Sequence, residues 1–136
     1  TIDNKKRISL PSKFRKELGK KLYLTRGLDN CIFMYPEKEW KNVLGKLEKL
    51  STAAASSRDF NRFMLAGAVE TEIDQAGRIL IPDFLKEFAG LKSDVVVAGV
   101  GDRVELWDKS SWERYTKRIQ KESTALAEKL GAGGVF

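Results

Sequence analysis

"IDNKKRISLP" occupies residues 2–11, and "IDQAGRILIP" occupies residues 73–82. The two stretches share Ile, Asp, Arg, Ile and Pro at matching places, 71 residues apart. The likeness runs on without a gap to Gly19 and Gly90. One inserted residue then shifts the register, and Gly27/Gly99, Tyr35/Trp107, Trp40/Trp112 and Leu47/Ile119 follow as matching pairs. Self-similarity at a fixed spacing is the signature of a repeated structural unit. It predicts two copies of one small unit covering most of the 136 residues.

Each copy reads as strand, short helix, hairpin and longer helix. "RISLP" and "RILIP" are short β-type runs, and Pro11 and Pro82 suit the first turn of a helix. "PSKFRKELG" and "PDFLKEFAG" end at Gly19 and Gly90, the expected place for a left-handed C-cap. "LYLTRGLDNCIFMY" and "VVVAGVGDRVELW" are apolar runs folded around Gly, Asp and Asn turns. Trp40, Val43, Leu44, Leu47 and Leu50 then recur at helical spacing, and Trp112, Tyr115, Ile119, Leu126 and Leu130 repeat the stripe.

These elements divide the chain into a first unit at 1–50, a connecting helix at 51–66, a second unit at 67–122, and a helix end with a flexible tail at 123–136. "GAVETEI" (67–73) alternates like a half-buried strand and leads into Asp74. The repeat therefore predicts a matching strand of seven residues before Asp3, ahead of Thr1. Two units that expose sheet edges can hide them against each other. The expected fold is α+β: a pseudo-twofold β-barrel with helices outside.

The net charge of +6 is unevenly placed. Residues 1–50 hold 13 Lys and Arg against six acids, while residues 73–122 hold nine of each. Asn4, Lys5, Lys6 and Arg7 stand where the second copy has Gln75, Ala76, Gly77 and Arg78. Such residues also have a plain structural use. Asp3 and Asp74 can shape a turn by accepting backbone N–H groups, Gly77 eases it, and each Arg can close it on its Asp. A turn needs no lysines, however. Lys5 and Lys6 with Lys13 and Arg15 on the next helix suit phosphate neutralisation, and the Arg7 guanidinium suits a base edge in a major groove. Asn4 can also read a base. Arg78 is either a second, weaker contact or a structural arginine.

Catalysis finds little to work with. The chain has no histidine, no Walker loop, no Gly-x-Ser-x-Gly and no Cys-x-x-Cys. "GVGDRV" lies in a hairpin turn and lacks the third glycine of a dinucleotide loop. The expectation is a non-enzyme without catalytic residues, metal, cofactor or small-molecule substrate. A single cysteine and no apolar run long enough to span a bilayer point to the cytosol, with no membrane partner.

The duplicated Asp-x-x-x-Arg, with "LTRGLDNCIFMYPEKEW" in the first half and "GDRVELWDKSSW" in the second, resembles the MraZ family of bacterial transcriptional regulators. That family belongs to the SpoVT/AbrB-like swapped-hairpin superfamily. The resemblance covers essentially the whole chain. It implies two AbrB-like units folded as an intramolecular pseudo-dimer, ring-shaped homo-oligomers, and binding to repeated DNA boxes. Those boxes lie upstream of the operon that carries cell-division and cell-wall genes. It also implies that basic residues within Asp3 to Arg7, and by correspondence Asp74 to Arg78, contact double-stranded DNA. The resulting expectation is a sequence-specific, nucleoid-associated regulator. The alternatives are a ring-forming interaction module and a nonspecific nucleic-acid binder.

Overall fold

A computed structural model describes residues 1–134. The fold is α+β, with seven strands and five α-helices among the described residues. In chain order they are β1 (Arg7–Ser9), α1 (Ser12–Leu18), β2 (Lys21–Arg26), β3 (Ile32–Pro36), α2 (Glu37–Glu48) and α3 (Ala55–Ala66). The second half adds β4 (Val69–Glu72), β5 (Arg78–Leu80), α4 (Asp83–Phe88), β6 (Val95–Val100), β7 (Arg103–Asp108) and α5 (Lys109–Ala132).

All pairing is antiparallel. One sheet has the order β4-β2-β3-β7-β6, and a separate two-stranded ribbon pairs β1 with β5. The end strands β4 and β6 are not joined to each other, so among the described residues the ladders close no barrel. Both sheets mix the two halves of the chain. β4 of the second half pairs β2 of the first, β3 pairs β7 in the middle, and the ribbon takes one strand from each copy.

Alternation along the strands fixes three layers. Leu22, Leu24, Ile32, Met34, Val104 and Leu106 point to one face of the sheet. There they meet Ile8 and Ile79 from the underside of the ribbon, and Phe14, Leu18 and Leu85 from the short helices. Phe33, Tyr35 and Trp107 point to the other face, against Trp40 and Leu47 of α2, Met64 of α3 and Trp112 and Tyr115 of α5. The aromatic pairs of the repeat are thus packing residues. Trp107 lies 4.8 Å from Tyr115 and 5.4 Å from Trp112, ring centre to ring centre.

Matching hydrogen bonds repeat across the two copies. Ile73 N–H donates to the Lys20 carbonyl at 2.9 Å, and Ile2 N–H to that of Ser93 at 2.8 Å. Leu10 N–H donates to the Gly77 carbonyl at 3.0 Å, and Ile81 N–H to that of Lys6 at 2.9 Å. Gly19 and Gly90 have positive φ, 75° and 61°, but Gly19 combines it with ψ of −166°, an extended conformation open to glycine rather than the left-handed cap expected after α1.

Several expectations need correction. Pro11 and Pro82 stand at the N-caps, one residue before the helical turn, with ψ of 145°. Gly27 does not correspond to Gly99. Arg26 pairs Ile32 as Gly99 pairs Val104, so Val100 is the counterpart of Gly27. Two extra residues precede β6, and its two-residue turn is shorter than the five residues between β2 and β3, which the linear alignment hides. The α5 stripe also ends early. Trp112 and Tyr115 pack on the core, but Leu126 and Leu130 are exposed, because the helix outruns the sheet. Helix α5 continues to Ala132, into the stretch read as a tail, and residues 135–136 of that tail lie outside the described ones.

Candidate nucleic-acid interface

The loop between Ile2 and β1 is built by Asp3. Its Oδ1 accepts the backbone N–H groups of Lys5 and Arg7, both at 2.9 Å, and its Oδ2 accepts Arg7 Nε at 2.9 Å. Asp74 does the same in the second copy. Its Oδ1 accepts from Ala76 and Arg78 at 2.9 Å, and its Oδ2 accepts Arg78 Nε at 3.0 Å. The backbone N–H of Arg7 holds the Asp3 carboxyl below its ordinary value of 3.8, and that of Arg78 does so for Asp74. Each carboxylate thus bridges the two ends of its loop.

Each arginine is fixed through Nε alone. Neither makes another hydrogen bond or ion pair through its Nη nitrogens among the described residues. The Nη edge is the part of the fork that can meet two acceptors at once.

The ribbon brings the two arginines together. Its register pairs Arg7 with Leu80, Ile8 with Ile79, and Ser9 with Arg78. Residues directly opposite in an antiparallel pair share a face, and neighbours along a strand alternate. Ile8 and Ile79 are buried underneath. Arg7, Ser9, Arg78 and Leu80 therefore all project outward from one small surface. A two-stranded ribbon of this kind is narrow enough to enter a DNA major groove.

The other predicted basic residues disperse. Lys5 is exposed on its loop, next to the exposed Asn4. Lys6 adopts φ of 63°, and its Nζ lies 2.7 Å from Asp83 Oδ1 at the start of α4. Half of its side chain remains accessible, with a relative exposure of 50%. Arg15 leaves α1 sideways and packs its guanidinium over Gly77 in the opposite loop, beside Asp74 and Gln75. Lys13 points elsewhere. Its Nζ sits 4.7 Å from the ring centre of Phe14, in a hollow shared with Gly99 and Gly101 at the β6–β7 turn. Arg15 thus joins the loops, whereas Lys13 does not.

Three residues of the surface escaped the sequence reading. Ser9 and Leu80 belong to it through the ribbon register, and Gln75 sits beside Arg15. The apolar–polar alternation of "RIS" was the available signal for Ser9, whereas Ile79, Leu80 and Ile81 are all apolar and nothing in residue type sets Leu80 outward. Alternation marks which residues face out but not which strand lies alongside.

The chain matches the family model described as "MraZ protein, putative antitoxin-like" twice, over residues 1–63 and 64–131. It is 51% identical over 130 residues to the transcriptional regulator MraZ of Caldanaerobacter subterraneus subsp. tengcongensis, covering 96% of this chain and 91% of that one. It is 48% identical over 135 residues to the transcriptional regulator MraZ of Acetivibrio thermocellus, covering 99% and 94%. A relative of the same name from Moorella thermoacetica is 48% identical over 130 residues, covering 96% and 91%.

Proposed function

The chain belongs to the MraZ family, and from that premise we propose that it is a sequence-specific, double-stranded DNA-binding transcriptional regulator. The observation that carries this reading is the placement of Arg7 and Arg78 on one outward face of the β1–β5 ribbon, each with its Nη edge unengaged. Arg7 and Arg78 are the base readers. Asn4, Lys5 and Lys6 flank the groove, and Lys5, Lys6 and Arg15 neutralise phosphates. Arg78 is a second contact in this arrangement, equivalent to Arg7. Lys13 follows the DNA backbone only where the duplex extends beyond the ribbon towards the β6–β7 turn.

The targets are repeated boxes upstream of the cell-division and cell-wall gene cluster. The working form is a ring-shaped homo-oligomer in the cytoplasm, associated with the nucleoid. Support for an assembly comes from the exposed Leu126 and Leu130 of α5. Among the described residues, no helix is long and apolar enough to cross a membrane.

A gel-shift on the DNA upstream of the protein's own gene, with random DNA in excess, tests the proposal. Specific binding resists that competitor, whereas purely electrostatic binding is lost to it. Equal displacement by random DNA would leave a nonspecific binder. No shift at all would leave the interaction-module reading.

A further inference from the structure

The outer face of the ribbon carries four side chains, and the repeat makes two of its positions comparable. Arg7 and Arg78 are identical at one, while Ser9 and Leu80 differ at the other. Leu80 is 54% exposed, the greatest exposure of any large apolar side chain among the described residues. Its strand neighbour Ile79 carries the packing below, being only 1% exposed. Leu80 sits directly across from Arg7 and two residues along the same strand from Arg78, with the inward Ile8–Ile79 pair between. Isolated exposed leucines are common and call for no function. This one lies among the side chains that meet the base edges if the ribbon enters a groove.

We infer that Leu80 is a specificity residue that reads the 5-methyl group of a thymine in the major groove. The inference rests on the regulator reading above. Thymine is the one base that presents a methyl there, and an apolar side chain gains by covering it. Ser9, at the equivalent place, offers a hydroxyl that can donate to or accept from a base edge instead. The two halves of the ribbon face therefore read different bases although their arginines match. One chain binds its site in a single orientation, and its box is not a palindrome at these steps.

The probe is the tightest duplex recovered from a random-sequence pool by in-vitro selection on the intact protein. Each thymine of that duplex is replaced singly by deoxyuridine, which removes only the methyl. Affinities are measured for wild type and for Leu80→Ala, whose melting temperature is checked first. At one thymine the replacement should weaken wild-type binding about fourfold, the value of one buried methyl-sized group. The same replacement should leave Leu80→Ala binding unchanged. The inference is overturned if no single replacement weakens wild type, or if Leu80→Ala loses as much as wild type does. A pool that yields bound duplexes without a consensus overturns the sequence-specific reading itself, and this inference with it.

Discussion

Lys6 and Gly77 hold equivalent places in the two loops, with φ of 63° and 77°. Each carbonyl accepts the N–H that follows the opposing strand, Lys6 from Ile81 and Gly77 from Leu10. The turn therefore demands a left-handed residue in both copies. Gly77 meets that demand without strain, while a lysine there costs about 1–2 kcal/mol. The Lys6 side chain is held in that conformation with its Nζ on Asp83, a contact that glycine in the other copy does not make.

Exchanging the two residues should give unequal results. Lys6→Gly relieves the backbone but loses an exposed ion pair to Asp83 and adds glycine's chain entropy. The relief of about 1–2 kcal/mol opposes two losses of about 1 kcal/mol or less each, so stability should stay within about 1 kcal/mol of wild type. Gly77→Lys adds the left-handed cost and drives a Cβ into the Arg15 guanidinium. It should cost about 2 kcal/mol or more in chemical denaturation. Equal losses from both variants would show that the two loops are not equivalent.

Asp3 and Asp74 link the loops to pH. Both carboxyls are held below 3.8 in the folded chain, first by the N–H of Arg7 or Arg78. A depressed carboxyl contributes stability that is fully present above the unfolded value. That contribution is lost as pH falls through the folded one. Melting temperature should be insensitive to these two groups between pH 7 and about pH 5, and their contribution should fade below about pH 4. Asp3→Asn and Asp74→Asn should each flatten that acid limb. An acid limb of unchanged steepness in the double variant would remove these residues from the account.

Much of this fold is legible in the sequence because it is local. Gly19 and Gly90 end their helices, Asp29, Asn30 and Gly101 take positive φ in the hairpin turns, and each loop Asp finds an Arg four residues on. What was not legible is pairing across the repeat. β1 and β5 have three residues each, too few to encode a partner, and their register comes from the buried Ile8–Ile79 contact. The reach of Arg15 to Gly77 and of Lys6 to Asp83 follows from that register. Counting charge by chain half points to the first loop, and it does not show that the ribbon register sets Arg78 on the same face as Arg7.

Glu105 anchors a polar cluster on the outer sheet face, 7% exposed. Its Oε2 accepts Arg103 Nε at 2.9 Å and lies 2.9 Å from Nη2, and its Oε1 accepts Trp107 Nε1 at 3.0 Å. The Arg103 guanidinium in turn lies 4.4 Å from the ring centre of Phe33. Glu105→Ala strands the Trp107 indole N–H and leaves Arg103 only its ion pair with Asp102, and should cost about 2–3 kcal/mol in denaturant unfolding. Replacing Arg103 as well should cost less than the two single losses combined. Strict additivity would mean that the pair does not interact.

Arg7→Ala and Arg78→Ala test the shared surface. If each guanidinium reads a base through its Nη edge, each single change should weaken operator binding by about 1–3 kcal/mol. Each should also lower discrimination between the operator and random DNA. Neither should disturb folding much, since only one partly exposed ion pair, to Asp3 or Asp74, is lost. Lys5→Ala should behave differently, weakening all sequences alike and lowering the slope of log affinity against log salt by about one. Arg7→Lys separates charge from geometry. A lysine retains the charge but not the fork, so a true base reader should fail almost as badly as alanine. The decisive comparison is Arg78→Ala in a protein of normal melting temperature. Unaltered operator affinity there, with a loss in Arg7→Ala, would confine recognition to the first copy and reduce Arg78 to a turn-closing residue.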